Sequence, residues 1–140
     1  MSRPKLLLVE NDPYFIYLLK LYAEQSGFSV VNTSSGSGVF ALAQQEQPAV
    51  IVLESELPEV TGWEILTHLR SEPCTRQIPV VMCLWHDSQH RADMTPFEAL
   101  LHKPMQFDDF ILALRDIGVL PEGGPDGDGI TSRADRSPGV

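Results

Sequence analysis

Cysteine is scarce in this chain, with only Cys74 and Cys83 among 140 residues. Two cysteines with no sign of an oxidising compartment make no disulfide framework and are expected as reduced thiols. No apolar run approaches the roughly 20 residues that a membrane helix needs. The opening MSRPKLLLVEND has acids directly after its short apolar stretch and no small-residue cleavage site. It is therefore not expected to act as a signal peptide, and a cytoplasmic protein is expected. Basic residues are also short: 10 Lys and Arg stand against 19 Asp and Glu, a formal charge of −9. Nucleic-acid binding rests on basic side chains that neutralise phosphates, so this balance speaks against it. There is no G-x-G-x-x-G pattern; the Ser/Gly turn at Ser34–Gly38 lacks it. A flavin site would want hydroxyls and glycines after the first strand, where VENDP offers acids.

What is present is ordinary for one globular domain: 43% hydrophobic and 21% charged residues. Lys5–Val9 (KLLLV) reads as a buried strand. Asp12 is placed to cap a helix, with Pro13 in its first turn. Phe15, Leu18, Leu19, Tyr22 and Ala23 then recur at the spacing of one helix face, and Gly27 suits the end. The alternation continues with strands expected at Phe28–Asn32, Ala49–Leu53, Pro79–Leu84 and Leu100–His102. Helices are expected around Val39–Ala43, behind a Thr61/Glu64 capping box, and around Phe107–Leu114 with Gly118 as the stop. Trp85–Ala99 reads as a weak helix at best. Such alternation implies right-handed crossovers and a parallel sheet covered on both faces. Five units fit a flavodoxin-like, doubly wound α/β/α fold of three layers, strand order 2-1-3-4-5. Residues 1–120 are expected to form the domain. Residues 121–140 hold five Gly and three Pro with almost no bulky apolar side chains, and are expected to be a disordered tail.

Ligand sites in open α/β sheets lie beyond the carboxyl ends of the strands. There stand Glu10, Asn11 and Asp12 after the first strand, Glu54 after the third, Leu84 and Trp85 after the fourth, and Lys103-Pro104 after the fifth. Glu10, Glu54 and Lys103 are expected to meet in one crevice. Clustered carboxylates need a cation or a proton between them, which Lys103 or a hard divalent ion can supply. Any one of these charges alone would be a solvated strand end. His86 and His90, four apart with Cys83 or Asp87 nearby, raise zinc as a ligand set. No second ligand cluster accompanies them, and two histidines in a polar loop carry little weight. Trp63 and Met82 are expected to pack in the core.

LLLVENDP, AVIVLESELPEVTGWEIL, IPVVMCL and LLHKP resemble, in order, the signatures of the response-regulator receiver family, from about Lys5 to Gly118. Pro58 and Gly62 match its loop after the phosphorylation site, and Lys103-Pro104 its Lys-Pro, often a cis bond there. The resemblance implies an acidic pair that binds magnesium, an Asp that accepts the phosphoryl group, a Thr or Ser after strand four, and a Lys that pairs with phosphoryl oxygens. At the equivalent metal positions stand Glu10 and Asn11, the second neutral. Glu54 replaces the acceptor Asp, and its extra methylene moves the carboxylate about one bond length; a misplacement near 1 Å can cost about 100-fold in rate. Leu84 replaces the hydroxyl residue and cannot hydrogen-bond. Trp85 replaces a small residue, with its ring expected over the pocket, and Leu100 replaces an aromatic that reports the switch. Leu84 to Lys103 is about three residues shorter than in the family.

The resulting expectation is a stand-alone pseudo-receiver of two-component or phosphorelay signalling. It would act as a protein-interaction module, not as an enzyme, with no cofactor or only weak Mg2+. Glu54 and Lys103 would form a fixed ion pair. The expected partner is a histidine kinase or a downstream signalling protein, with a homodimer as a further candidate and no membrane or nucleic acid. The alternatives are an active phosphoacceptor with an unusual site, or an unrelated binding protein on the same fold.

Overall fold

The structure, a computed structural model, describes residues 2–85 and 95–121. Five strands form one parallel sheet in the order β2-β1-β3-β4-β5. They are β1 (Lys5–Val9), β2 (Ser29–Thr33), β3 (Val50–Glu54), β4 (Val80–Trp85) and β5 (Ala99–Lys103). The helices described are α1 (Pro13–Gln25), α2 (Val39–Glu46) with a 3-10 turn at Gly36–Gly38 before it, α3 (Gly62–Ser71) and α4 (Phe107–Asp116).

Period-two alternation along the strands splits the core into two layers. Leu6, Leu8, Val50, Val52, Val81, Cys83 and Leu101 pack against α1 (Phe15, Leu19, Ala23) and α4 (Phe110, Ile111, Leu114). Leu7, Val9, Ile51, Leu53, Val80 and Met82 pack against α2 (Val39, Ala43) and α3 (Trp63, Ile65, Leu66, Leu69). The local signals act as read. The Asp12 carboxylate accepts from the Tyr14 amide at 2.8 Å, and Pro13 opens α1. Thr61 and Glu64 close a reciprocal capping box. Gly27 and Gly118 follow α1 and α4 with positive φ, which glycine adopts at no steric cost.

β2, β3 and β4 sit one residue further on than expected, and β5 extends one residue beyond Leu100–His102 at each end, for local reasons. The Phe28 amide donates to Ala23 O, so it still belongs to the end of α1, and β2 starts at Ser29. β3 runs to Glu54, β4 to Trp85 and β5 to Lys103, because these side chains are held by tertiary contacts instead of ending the ladder. Trp63 and Met82 are core residues, and both cysteines are free, Cys74 exposed and Cys83 buried. No helix among the described residues is long and apolar enough to cross a membrane. The weak helix expected near 85–99 and the His86/His90 pair fall mainly outside the described residues, as does the tail beyond Pro121; Thr95–Phe97, which are described, carry no helix.

Arg70 fastens the sheet's far edge to α3. Its guanidinium donates to Pro96 O (3.0 Å), Arg76 O (3.1 Å), Ile78 O (2.9 Å) and the Glu98 carboxylate (2.8 Å), which also accepts from the Val80 amide (2.7 Å). The side chain is only 12% exposed. Truncation strands several acceptors at once, so Arg70→Ala should cost about 2 kcal/mol and lower the melting temperature by roughly 8 °C. Arg70→Lys should recover only part of this, since a point charge cannot serve the whole fork. Calorimetry showing an unchanged melting temperature for Arg70→Ala would refute the fastening role.

Candidate functional site

At the carboxyl end of the sheet, side chains from β1, β3 and β5 meet at one ammonium group. By strand parity Glu10, Glu54 and Lys103 all belong to the sheet face covered by α1 and α4. Lys103 Nζ donates to Glu54 Oε1 and, at 3.2 Å, to Glu10 Oε2, with Glu10 Oε1 at 3.0 Å. Exposure of the three residues is 3% for Lys103, 1% for Glu10 and 3% for Glu54. The expected Glu54–Lys103 pair is therefore present, and the alternative of a solvated Glu54 is not.

Backbone donors complete the arrangement. The Glu56 amide donates to Glu54 Oε2 at 2.8 Å, and the Asp12 amide to Glu10 Oε2 at 3.2 Å. Gly62 is pressed on the same loop: its amide donates to Ser55 O, and a Cβ there would lie 2.2 Å from Glu54 O. Only glycine permits that approach.

Aromatic rings close the ammonium's remaining side. Lys103 Nζ lies 4.3 Å from the centre of the Phe15 ring and 5.8 Å from that of Trp85, within cation–π range. The two rings pack edge to face at 5.5 Å, and Trp85 keeps 42% of its surface exposed. Trp85 thus covers the pocket as expected. Phe15 reads from the sequence only as a core residue; nothing in helical spacing distinguishes a ring beside hydrocarbon from a ring beside an ammonium. The direct Glu10–Lys103 bond is also finer than strand-end bookkeeping can resolve.

The remaining predicted positions stand apart. Asn11 is exposed beside the capping Asp12. Leu84 is fully buried opposite His102 in β5, with the strand parity of Val80 and Met82 on the far face. Leu100 is half-buried on that face. The Lys103-Pro104 bond is cis.

Burial raises the Glu10 carboxyl above its ordinary value, and the Lys103 hydrogen bond only partly offsets this. For Lys103, burial works against the charge, but hydrogen bonds to Glu54 and Glu10 outweigh it and raise the ammonium's pKa. Burial pushes the neighbouring Cys83 thiol up, leaving it neutral and inert. Two carboxylates and one ammonium leave one negative charge in excess.

A hard cation such as magnesium wants several free, charged oxygens. Here both carboxylates are turned on the ammonium and Asn11 brings no charge. Among the described residues no group of three acidic, histidine or cysteine side chains could hold a metal.

The sequence profile of the response regulator receiver domain matches residues 6–115. The chain belongs to that family. The receiver is 28% identical over 112 residues to the polar-differentiation response regulator DivK of Brucella ovis, covering 78% of this chain and 91% of that one. It is 35% identical over 79 residues, 56% of its length, to the DNA-binding dual master transcriptional regulator RpaA of Synechocystis, of which the match spans 33%. Among solved structures it resembles the bacteriophytochrome response regulator RtBRR at 29% identity, covering 96% of this chain and 90% of that one with a TM-score of 0.73. The receiver domain is the signalling module of response regulators in two-component systems, and the flavodoxin-like order of strands seen here is the family's.

The ion cluster sets a pH dependence. Because the folded-state pKa of Glu10 is raised, the folded protein binds a proton that the unfolded chain releases, so stability falls as pH rises from about 4.5 through the raised value. Glu10→Gln removes that component. Its melting temperature should exceed the parent's by a margin that is small near pH 4 and grows toward neutrality (about pH 7). Lys103→Met leaves two buried carboxylates without a counter-charge and should cost about 3–5 kcal/mol. Urea melts at several pH values test both, and a Glu10→Gln margin that shrinks with rising pH would contradict the assignment.

Proposed function

We propose that this receiver is a pseudo-receiver: an interaction module of two-component signalling that binds a protein partner without taking up a phosphoryl group, and is not an enzyme. The observation that carries the reading is the buried Glu54–Lys103 bond. In the family pattern the position of Glu54 accepts the phosphoryl group and the lysine pairs with its oxygens. Here the longer side chain already occupies the lysine, and the Glu56 amide is spent on the other carboxylate oxygen. Leu84 offers no hydroxyl at the position that would bond the phosphoryl group. With Asn11 neutral, magnesium binding is weak or missing. Glu10, Asn11, Glu54, Leu84 and Lys103 are thus equivalents of reactive positions that have become structural. Partners of this class are a histidine kinase or a downstream signalling protein, in a cytoplasmic setting.

Acetyl phosphate with magnesium, followed by intact-mass measurement, tests this. The expected result is no base-labile species about 80 Da heavier. Such a species, absent from Glu54→Ala, would make the chain an active phosphoacceptor and end the proposal.

We also propose that residues 1–120 are the folded domain and that 121–140 contribute little to its stability. The Pro121 ring lies 3.3 Å from where a Gly27 Cβ would stand, so Pro121 itself is kept in the truncation that tests this. Removal of residues 122–140 should leave the melting temperature within about 2 °C of the parent, a shift below 1 kcal/mol. A larger fall would mean that the segment docks on the domain.

A further inference from the structure

On the sheet face opposite the ion cluster, α2, α3 and the loop after β3 enclose a cleft of about 320 Å³. That volume is at the lower end of ligand-sized pockets. Its deep side is apolar: Gly36 and Ile65 are buried, and Phe40 and Val60 half-buried. Gly36 is required there, since a Cβ would stand 2.4 Å from Val60 Cγ1. Phe40 and His68 stack in parallel, ring centres 4.2 Å apart at 10°, and both line the cleft. Its outer side carries two exposed carboxylates, Glu59 and Glu64. Among the described residues Glu59 accepts from Ser35 Oγ (3.3 Å), and Glu64 from the Thr61 amide and hydroxyl of the capping box. Among the described residues no basic side chain forms a salt bridge with either.

We propose that this cleft receives an arginine side chain from a protein partner. The inference rests on the interaction-module reading only in taking the occupant to be a protein. A long apolar stem suits Ile65, Val60 and Phe40. A planar guanidinium can lie along the stacked Phe40/His68 wall and bond the carboxylates, which a lysine ammonium does less well. Carboxylates held by uncharged donors keep their charge for an incoming cation. The chain's charge of −9 favours approach of a basic partner.

The test is an amide-resolved NMR titration of the 140-residue chain with the peptide Ac-Gly-Arg-Gly-NH2, its citrulline analogue and its lysine analogue. The arginine peptide should shift the amides of Gly36, Ser37, Val60 and Glu64. The citrulline peptide should leave them in place, and the lysine peptide should bind more weakly. Glu59→Gln should weaken the arginine peptide about fivefold, near the upper end for an exposed ion pair. Phe40→Leu, which keeps the apolar volume but removes the stack, should weaken it as well while the spectrum stays folded. Equal shifts from the citrulline peptide, or shifts elsewhere, overturn the proposal. Butylguanidine binding tighter than the peptide would mark a small-ligand pocket and also overturn it. The titration and the phosphorylation assay fail independently: a silent cleft leaves the mass result standing, and a phosphorylated Glu54 leaves the cleft shifts standing.

Discussion

The Lys103 ammonium, shared between Glu10 and Glu54, ties together the carboxyl ends of three strands that are not consecutive in sequence. Apolar packing would hold the same strands without fixing one geometry, since hydrocarbon contacts slide. An ion cluster with bonded partners does not slide, because each displaced charge is left in a poorly solvating interior. Desolvating two carboxylates and an ammonium is expensive, and replacing such a group with hydrocarbon is often neutral or stabilising. The cluster is therefore better understood as a geometric constraint than as a source of net stability. The surrounding structure is arranged to support it, with Phe15 and Trp85 against the ammonium and the Glu56 and Asp12 amides on the carboxylates.

That constraint bears on switching. A two-state device needs an element whose equilibrium a ligand can bias. On the proposed reading the lysine has its permanent anion supplied from within the chain, and the hydrophobic Leu84 and Leu100 stand where a hydroxyl and a reporting aromatic would couple the site to the rest of the fold. Bias from a phosphoryl group then has nothing to act on. Control would come from how much of the chain is present and from which partners compete for it.

Much of this is legible in the sequence, and the boundary of legibility is physical. The strands show as short β-branched or leucine runs, and the caps Asp12 and Thr61/Glu64 as side chains at fixed offsets from helix starts, because those signals are local. Lys103 and Glu54 can be paired from their positions in the sequence because strand ends of a parallel sheet converge by topology. What escapes is set by tertiary burial. A charged residue normally ends a strand, so β3 and β5 are expected to stop before Glu54 and Lys103; their mutual neutralisation lets the ladder continue through them. Phe15 gives the same helical-face signal whether it meets leucine or an ammonium. The Arg70 fastening cannot be read at all, since its acceptors are mainly backbone carbonyls, which carry no sequence signature.

The two halves of the molecule meet in the loop between β3 and α3. Its first residues are fixed at the cluster, by Glu54 on Lys103 and by the Glu56 amide on Glu54. Its end is pinned where the Gly62 amide reaches Ser55 O. Between these anchors stand Glu59 and Val60, which form one wall of the cleft, with Gly36 against Val60 and Ser35 bonded to Glu59. A family member whose acceptor changes its charge with phosphorylation would disturb the first anchor at each cycle. On the proposed reading a constant carboxylate would hold it still here. Binding to a wall that is already in place avoids the ordering cost of a mobile loop, which is the usual route by which rigidity becomes affinity. On the proposed reading, the glutamate at position 54 that would end phosphoryl chemistry is, by this route, the same one that would pre-form a recognition surface on the opposite face of the sheet.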